Sequence, residues 1–237
     1  MPDTRSHRGA HPKDAGDFAD DTLPTLQRAV DDLCWLLSRG YPDSRSLALV
    51  GDRYALRERQ RKAVGRVAAS DAAVVSRAAT CLAPQELAGR RVDLDGYNVL
   101  LTVEAALGGG LILVCRDGAL RDMAAMSRHY KKVDETREAL RLLGGFMADR
   151  GVSEVVWYLD RPISNSGRLR GLMLELAAEK AWPWTVELVP NPDPVLKESA
   201  HVVVSADSAI LDAGVAWLNL ARHVVEPFAE RVWWLEL

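Results

Sequence analysis

Beyond residue 90 the chain alternates short apolar runs with amphipathic stretches, and that alternation limits the fold more than any other feature. "GLILVCRD" (110–117), "EVVWYLD" (154–160), "WTVELV" (184–189) and "AHVVVSAD" (200–207) are rich in Val, Leu, Ile and Trp, as strands buried on both faces require. Between them, "VDETREALRLLGGFMADRG" carries Leu140, Leu143 and Met147, while "RLRGLMLELAAEKA" carries Leu169, Leu172 and Leu176, both sets at helical spacing. Strand alternating with helix predicts an α/β fold with an open, mostly parallel sheet flanked by helices. Ligand sites in such a fold lie beyond the carboxyl ends of the strands.

The front of the chain follows a different period. Leu26, Val30, Leu33 and Leu37 recur at i, i+4, i+7 and i+11, predicting an amphipathic helix that tolerates Pro24 in its first turn and ends at Gly40. After the turn "YPDSRS", residues 47–79 predict one or two more helices, broken near Gly65 or Ser70. The expected division is a helical N-terminal domain over 1–90 and an α/β domain over 91–237, with the polar residues 1–20 partly mobile.

Composition narrows the class. Hydrophobic residues make up 48% and charged residues 27%, as in ordinary soluble globular proteins. No apolar run approaches the ~18 residues of a membrane span, and the first residues lack a secretory apolar stretch, so a cytoplasmic protein without a membrane partner is expected. Cys34, Cys81 and Cys115 stand far apart without a C-x-x-C pair, which argues against a disulfide framework or a cysteine zinc site and for three buried small side chains. The net charge of −3 hides local excesses. "GDRYALRERQRKAVGR" includes Arg57 and Arg61 on what would be basic helix faces suited to a phosphate backbone, and "RHYKK" (128–132) adds a second basic patch. Trp157 and Trp217 are expected in the core, Trp182 and Trp184 partly exposed; neither His129 nor His201 is assigned a catalytic role.

Acidic residues fall where strands should end. Asp95 follows "RRVDL", Asp160 closes "EVVWYL", Asp207 closes "HVVVSA", and Asp193 in "PNPDP" follows "WTVELV". If those strands are parallel, the four carboxylates converge at one rim, where they raise one another's pKa unless a counter-charge is present. Hard oxygen donors of this kind suit Mg²⁺ or Mn²⁺, and the absence of a histidine or cysteine cluster argues against zinc. Glu104 is a further candidate for the rim, as is Asp117; Asp122 lies in the same intervening segment as Asp117. Near the rim, Ser164, Asn165, Ser166 and Gly167 form a polar turn before a helix, with Arg161, Arg168 and Arg170 around it; such a turn can hold a phosphate or cap the helix.

"DGYNVL" after a strand, a later strand ending "YLD", an acidic turn and then "VVVSADSAIL" resemble the PIN-like superfamily of metal-dependent nucleases, its NYN branch in particular. The chain as a whole is similar to a prokaryotic family of unknown function that joins a helical front segment to such a domain. The resemblance covers roughly residues 92–225. It implies a metal-dependent ribonuclease in which Asp95, Asp160 and Asp207 ligate Mg²⁺ or Mn²⁺, Asp193 assists, and Asn98 orients Asp95 or a water. The basic stretches and the 164–168 turn then favour RNA as the polyanionic partner; a homodimer is compatible with the sequence. The segment 108–133 departs from the family pattern and leaves the sheet order open.

Two other readings compete. "DLDG" is also similar to the opening signature of haloacid-dehalogenase-type phosphatases, which would make Asp93 the nucleophile and Asp95 the acid/base, with Ser164, Lys197 and the pair Asp207 and Asp212 completing the set. The strand "AGRRV" before Asp93 is poorly apolar for that reading, and Asn98 stays unexplained by it. The third reading is a non-catalytic PIN-like protein that binds RNA or a protein partner through its helical front.

Overall fold

The computed structural model describes residues 7–123 and 130–237, so Arg128 and His129 lie outside the described residues. Its front is helical, with α1 (Asp14–Asp17), α2 (Leu23–Ser38), α3 (Asp43–Arg53), α4 (Glu58–Val67) and α5 (Asp71–Thr80). Where the sequence suggests one or two helices after residue 47, the chain forms α3, α4 and α5. The unforeseen break comes at Ala55, which takes a left-handed φ of 48°. Gly65 lies inside α4 rather than breaking it, and its lack of a side chain lets α3 approach: a Cβ there would meet Leu47 Cδ2 at 2.8 Å. Ser70 ends the next connection by accepting a hydrogen bond from the Ala73 amide, as an N-cap residue does.

From residue 7 onward the start of the chain is tied down rather than loose. Asp14 and Asp17 are buried and pair with Arg59 (2.6 Å) and Arg57 (2.9 Å) of the α4 start, and Arg8 pairs with Glu104 at 2.6 Å. The acids of the leader thus answer the basic stretch that follows.

Strand β1 (Arg91–Asp95) runs directly into α6 (Gly96–Leu107); β2 (Leu111–Val114) and β3 (Leu120–Asp122) form a hairpin. The rest comprises α7 (Thr136–Asp149), β4 (Glu154–Asp160), α8 (Ser166–Lys180), β5 (Trp184–Val189), α9 (Pro192–Lys197), β6 (Val202–Val204), α10 (Ser208–Leu211), α11 (Leu220–Val225) and β7 (Trp233–Glu236). One sheet has the order β5-β4-β1-β6 with every neighbouring pair parallel, as the alternation predicts.

The run "GLILVCRD" does not join it. Its strand β2 pairs with β3 and, in parallel, with β7, making a second small sheet. The alternation of side chains explains the placement: Ile112 packs into the core of the α/β region, whereas Leu111 and Leu113, with Leu235 of β7, pack into the core of the helical front beside Leu26, Leu33 and Val64. This sheet is the shared wall between the two regions. The change of period near residue 90 marks where helices give way to strands, yet packing crosses it.

Leu140, Leu143 and Met147 of α7, which packs on α6 and α11, and Leu169 and Leu176 of α8 are buried in the core of the α/β region, each worth about 1.5–3 kcal/mol relative to exposure. Trp157, Trp184 and Trp217 are buried, and Trp182 stacks on Trp184 at 4.9 Å while remaining partly exposed. Cys34 and Cys115 are buried as expected; Cys81 is exposed, because it follows α5 at the surface. No helix among the described residues is long and apolar enough to cross a membrane.

Candidate functional site

Because β1, β4 and β6 are parallel, their carboxyl ends share one edge, and Asp95, Asp160 and the segment Ser205–Asp207 emerge there. Asp193 arrives from the first turn of α9, where Asn191 caps its amide at 3.1 Å. Asp95, Asn98, Asp160, Asp193 and Asp207 line a single cleft of about 430 Å³. The tight passage from β1 into α6 depends on Gly96: a Cβ there would lie 2.5 Å from Leu159 Cδ2 and 2.9 Å from the Tyr158 carbonyl of β4.

Hydrogen bonds fix the floor. Ser205 Oγ donates to Asp95 Oδ2 at 2.8 Å and accepts from the Asp207 amide at 3.0 Å; Asp207 Oδ1 in turn accepts from the Ala209 amide at 2.7 Å. Asn98 Oδ1 accepts from the Ala206 amide at 2.9 Å. Asn98 is therefore a positioning residue that ties α6 to the turn after β6. Burial drives the pKa of Asp95 up to about 7, and repulsion from Asp207, Asp160 and Asp193 adds to the rise while the Ser205 hydrogen bond opposes it. Asp160 is raised too, first by burial and then by Asp193.

Several cleft residues are not among the site candidates read from the sequence, where Asp122 is noted without a role. Asp122, at the end of β3, lines it and accepts a hydrogen bond from Thr102 Oγ1 at 3.0 Å. Arg121 lines it from the same strand, buried, with Nε on the Ala206 carbonyl at 2.7 Å and Nη2 on Asp117 at 2.6 Å. Gly65 and Arg66 reach it from the helical front. In sequence Asp122 and Arg121 stand in the segment 108–133, where nothing local ties them to the ends of the parallel strands.

Other candidates lie elsewhere. Arg57 and Arg61 do not face the cleft: Arg57 binds Asp17, and Arg61 binds Asp52 at 2.7 Å. Glu104 is fully buried away from the rim, bound by Arg8, Tyr130 and Thr136, since two helical turns carry it to the opposite end of α6. Asp117 is buried between Arg77 and Arg121. Asp93 faces Arg91 at 2.9 Å and Ser199 Oγ at 2.7 Å, and Asp212 is held by Arg77 at 2.8 Å. In the 164–168 turn, Asn165 adopts a left-handed φ of 69° and donates to the Tyr130 carbonyl at 2.9 Å, while buried Ser166 points Oγ at the Arg161 carbonyl. The Ser164 carbonyl accepts from the Tyr130 amide at 3.3 Å. Asn165 and Arg168 line a separate cavity of about 380 Å³ with Lys131 and Lys132.

The family described as "Domain of unknown function (DUF5616)" matches residues 84–223, and the one described as "Protein of unknown function (DUF434)" matches residues 25–79. Over 212 residues the chain is 27% identical to an uncharacterized protein of Methanocaldococcus jannaschii, MJ0935, with 90% of this chain and 99% of the relative covered. No solved structure matches.

Proposed function

The chain belongs to the DUF5616 family, and from the geometry of its acidic cleft we propose that it is a metal-dependent nuclease hydrolysing phosphodiester bonds, with RNA as substrate. One observation carries this reading: five aspartates line one cleft, four of them (Asp95, Asp160, Asp193 and Asp207) at the carboxyl edge of a parallel sheet, with the pKa of Asp95 raised to about 7. Carboxylates forced together in this way are stabilised by a hard cation. Asp95, Asp160 and Asp207 are the residues that would hold Mg²⁺ or Mn²⁺, although among the described residues no three such groups already stand close enough to grip one ion. A cation bound there would neutralise the cluster and polarise a phosphate oxygen.

The protein's own groups perform the rest. Burial holds a proton on Asp95 up to about neutral pH in the metal-free chain, so a cation bound there would displace that proton and hold the carboxylate ionised. Ser205 and Asn98 keep Asp95, the 205–207 turn and α6 in register. Lys131, Lys132 and Arg168 present positive charge in the separate cavity, a candidate contact for other phosphates of the bound strand.

The test is cleavage of labelled single-stranded RNA with Mg²⁺ or Mn²⁺, comparing wild type with Asp95→Asn, Asp207→Asn and Asp93→Asn. Activity lost in the first two and kept in the third supports the nuclease. Turnover of a phosphomonoester abolished by Asp93→Asn would replace it with the phosphatase reading, and tight RNA binding without cleavage would leave a binding protein.

A further inference from the structure

The basic stretch of α4 divides into two groups with different tasks. Arg57, Arg59 and Arg61 are engaged by Asp17, Asp14 and Asp52 within the helical front. Lys62 and Arg66, one helical turn apart, instead face the end of the β2-β3 hairpin. Lys62 Nζ donates to the Met123 carbonyl at 3.1 Å, and Arg66 Nη1 donates to the Asp122 carbonyl with the Asp122 carboxylate 3.9 Å away.

The acidic cleft is a poor host for a polyanion on its own. Asp95, Asp122, Asp160, Asp193 and Asp207 all contribute to its lining, with Arg66 and Arg121 as the cations among its lining residues. Arg121 is committed to Asp117 and the Ala206 carbonyl and only a tenth of its side chain is exposed, whereas Arg66 keeps 32% of its side chain open. Arg121 Nη1 also donates to the Arg66 carbonyl at 3.2 Å, so the buried guanidinium fixes the backbone from which the more open one projects. Asp122, itself held by Thr102, orients the Arg66 head at the cleft.

We infer that Arg66 is the phosphate-binding residue of this cleft, its planar guanidinium contacting non-bridging oxygens of the bound strand. Region 25–79 thereby completes the site of region 84–223. This rests on the nuclease reading above.

The experiment uses the full chain with a fluorescein-labelled single-stranded RNA. Binding is followed by anisotropy in Ca²⁺ at several salt concentrations and cleavage in Mn²⁺, for wild type, Arg66→Gln, Arg66→Lys and, as a control, Arg137→Gln on α7. Arg66→Gln should weaken binding about tenfold with a matching rise in KM. It should also lower the slope of log affinity against log salt by about 0.7, as for one lost contact on a single strand. Its melting temperature should stay near wild type; Arg66→Lys should restore the slope, and Arg137→Gln should change neither. An Arg66→Gln protein with wild-type affinity and slope overturns the role of Arg66 while leaving the nuclease intact, as does one whose loss tracks only a fall in melting temperature. A wild-type protein that neither binds nor cleaves overturns the nuclease reading, and this inference with it.

Discussion

Ser205 Oγ donates a 2.8 Å hydrogen bond to Asp95 Oδ2, joining the turn after β6 to the end of β1. The bond favours an ionised Asp95, yet burial and the neighbouring carboxylates outweigh it and hold the group's pKa near 7. A carboxyl that keeps its proton in the folded chain and loses it near pH 4 when unfolded has a definite effect on stability.

Without divalent cations, folded stability should fall as pH rises from about 4 to about 7, because over that interval the folded chain binds the Asp95 proton and the unfolded chain does not. Below pH 4 both states hold the proton and no penalty exists; above pH 7 it is complete, on the order of 4 kcal/mol for a shift of about three units. Asp95→Asn should therefore melt higher than wild type at pH 8 and nearly equally at pH 4. Urea unfolding in EDTA at both pH values measures this, and an Asn variant less stable at pH 8 would contradict it.

Cation and proton compete for the same oxygens. Millimolar Mn²⁺ should raise the melting temperature of the wild type more at pH 8 than at pH 6, and Asp95→Asn and Asp207→Asn should lose most of the rise. An equal rise in all three proteins would place any ion elsewhere.

Gly96 answers a question that its sequence context poses, since a glycine at the first position of α6 offers no helix propensity. It is required by the closeness of β4, whose Tyr158 carbonyl lies 2.9 Å from where a Cβ would sit. Gly96→Ala should cost about 1–3 kcal/mol of stability and displace Asp95 from the cleft floor, lowering any activity beyond the loss of folded protein. Denaturant melts paired with specific activity of the folded fraction separate the two effects.

Parallel strands ending in aspartates were legible from alternation, because a strand's direction fixes which end faces the rim; Asp95, Asp160, Asp193 and Asp207 were found that way. The second sheet was not legible. The residues of β2 look like those of any buried strand, and only their contacts with Leu26, Leu33 and Val64 of the helical front show why β2 pairs with β7 instead of β1. The same gap hid Arg66. In sequence it is one of six cations, and nothing local says that Arg57 and Arg61 pair with acids 40 and 9 residues away while Arg66 pairs with Asp122 at the cleft.

Glu104 gives the last prediction. Its carboxylate is fully buried and takes hydrogen bonds of 2.6 Å from Arg8 Nε, Tyr130 OH and Thr136 Oγ1, so residue 8 is clamped against α6 and the loop before α7. Burial raises the Glu104 pKa, with Arg8 as the largest opposing influence. Arg8→Ala leaves that charge without its cation and should cost about 3–5 kcal/mol, the scale for a buried pair broken from one side. Glu104→Gln removes the charge, keeps an acceptor for both hydroxyls and strands only Arg8, which is partly exposed, so its cost should be smaller. The double variant should be no worse than Arg8→Ala. A double-mutant cycle by urea unfolding at pH 7 reads the coupling, and purely additive single losses would show that the clamp does not exist in solution.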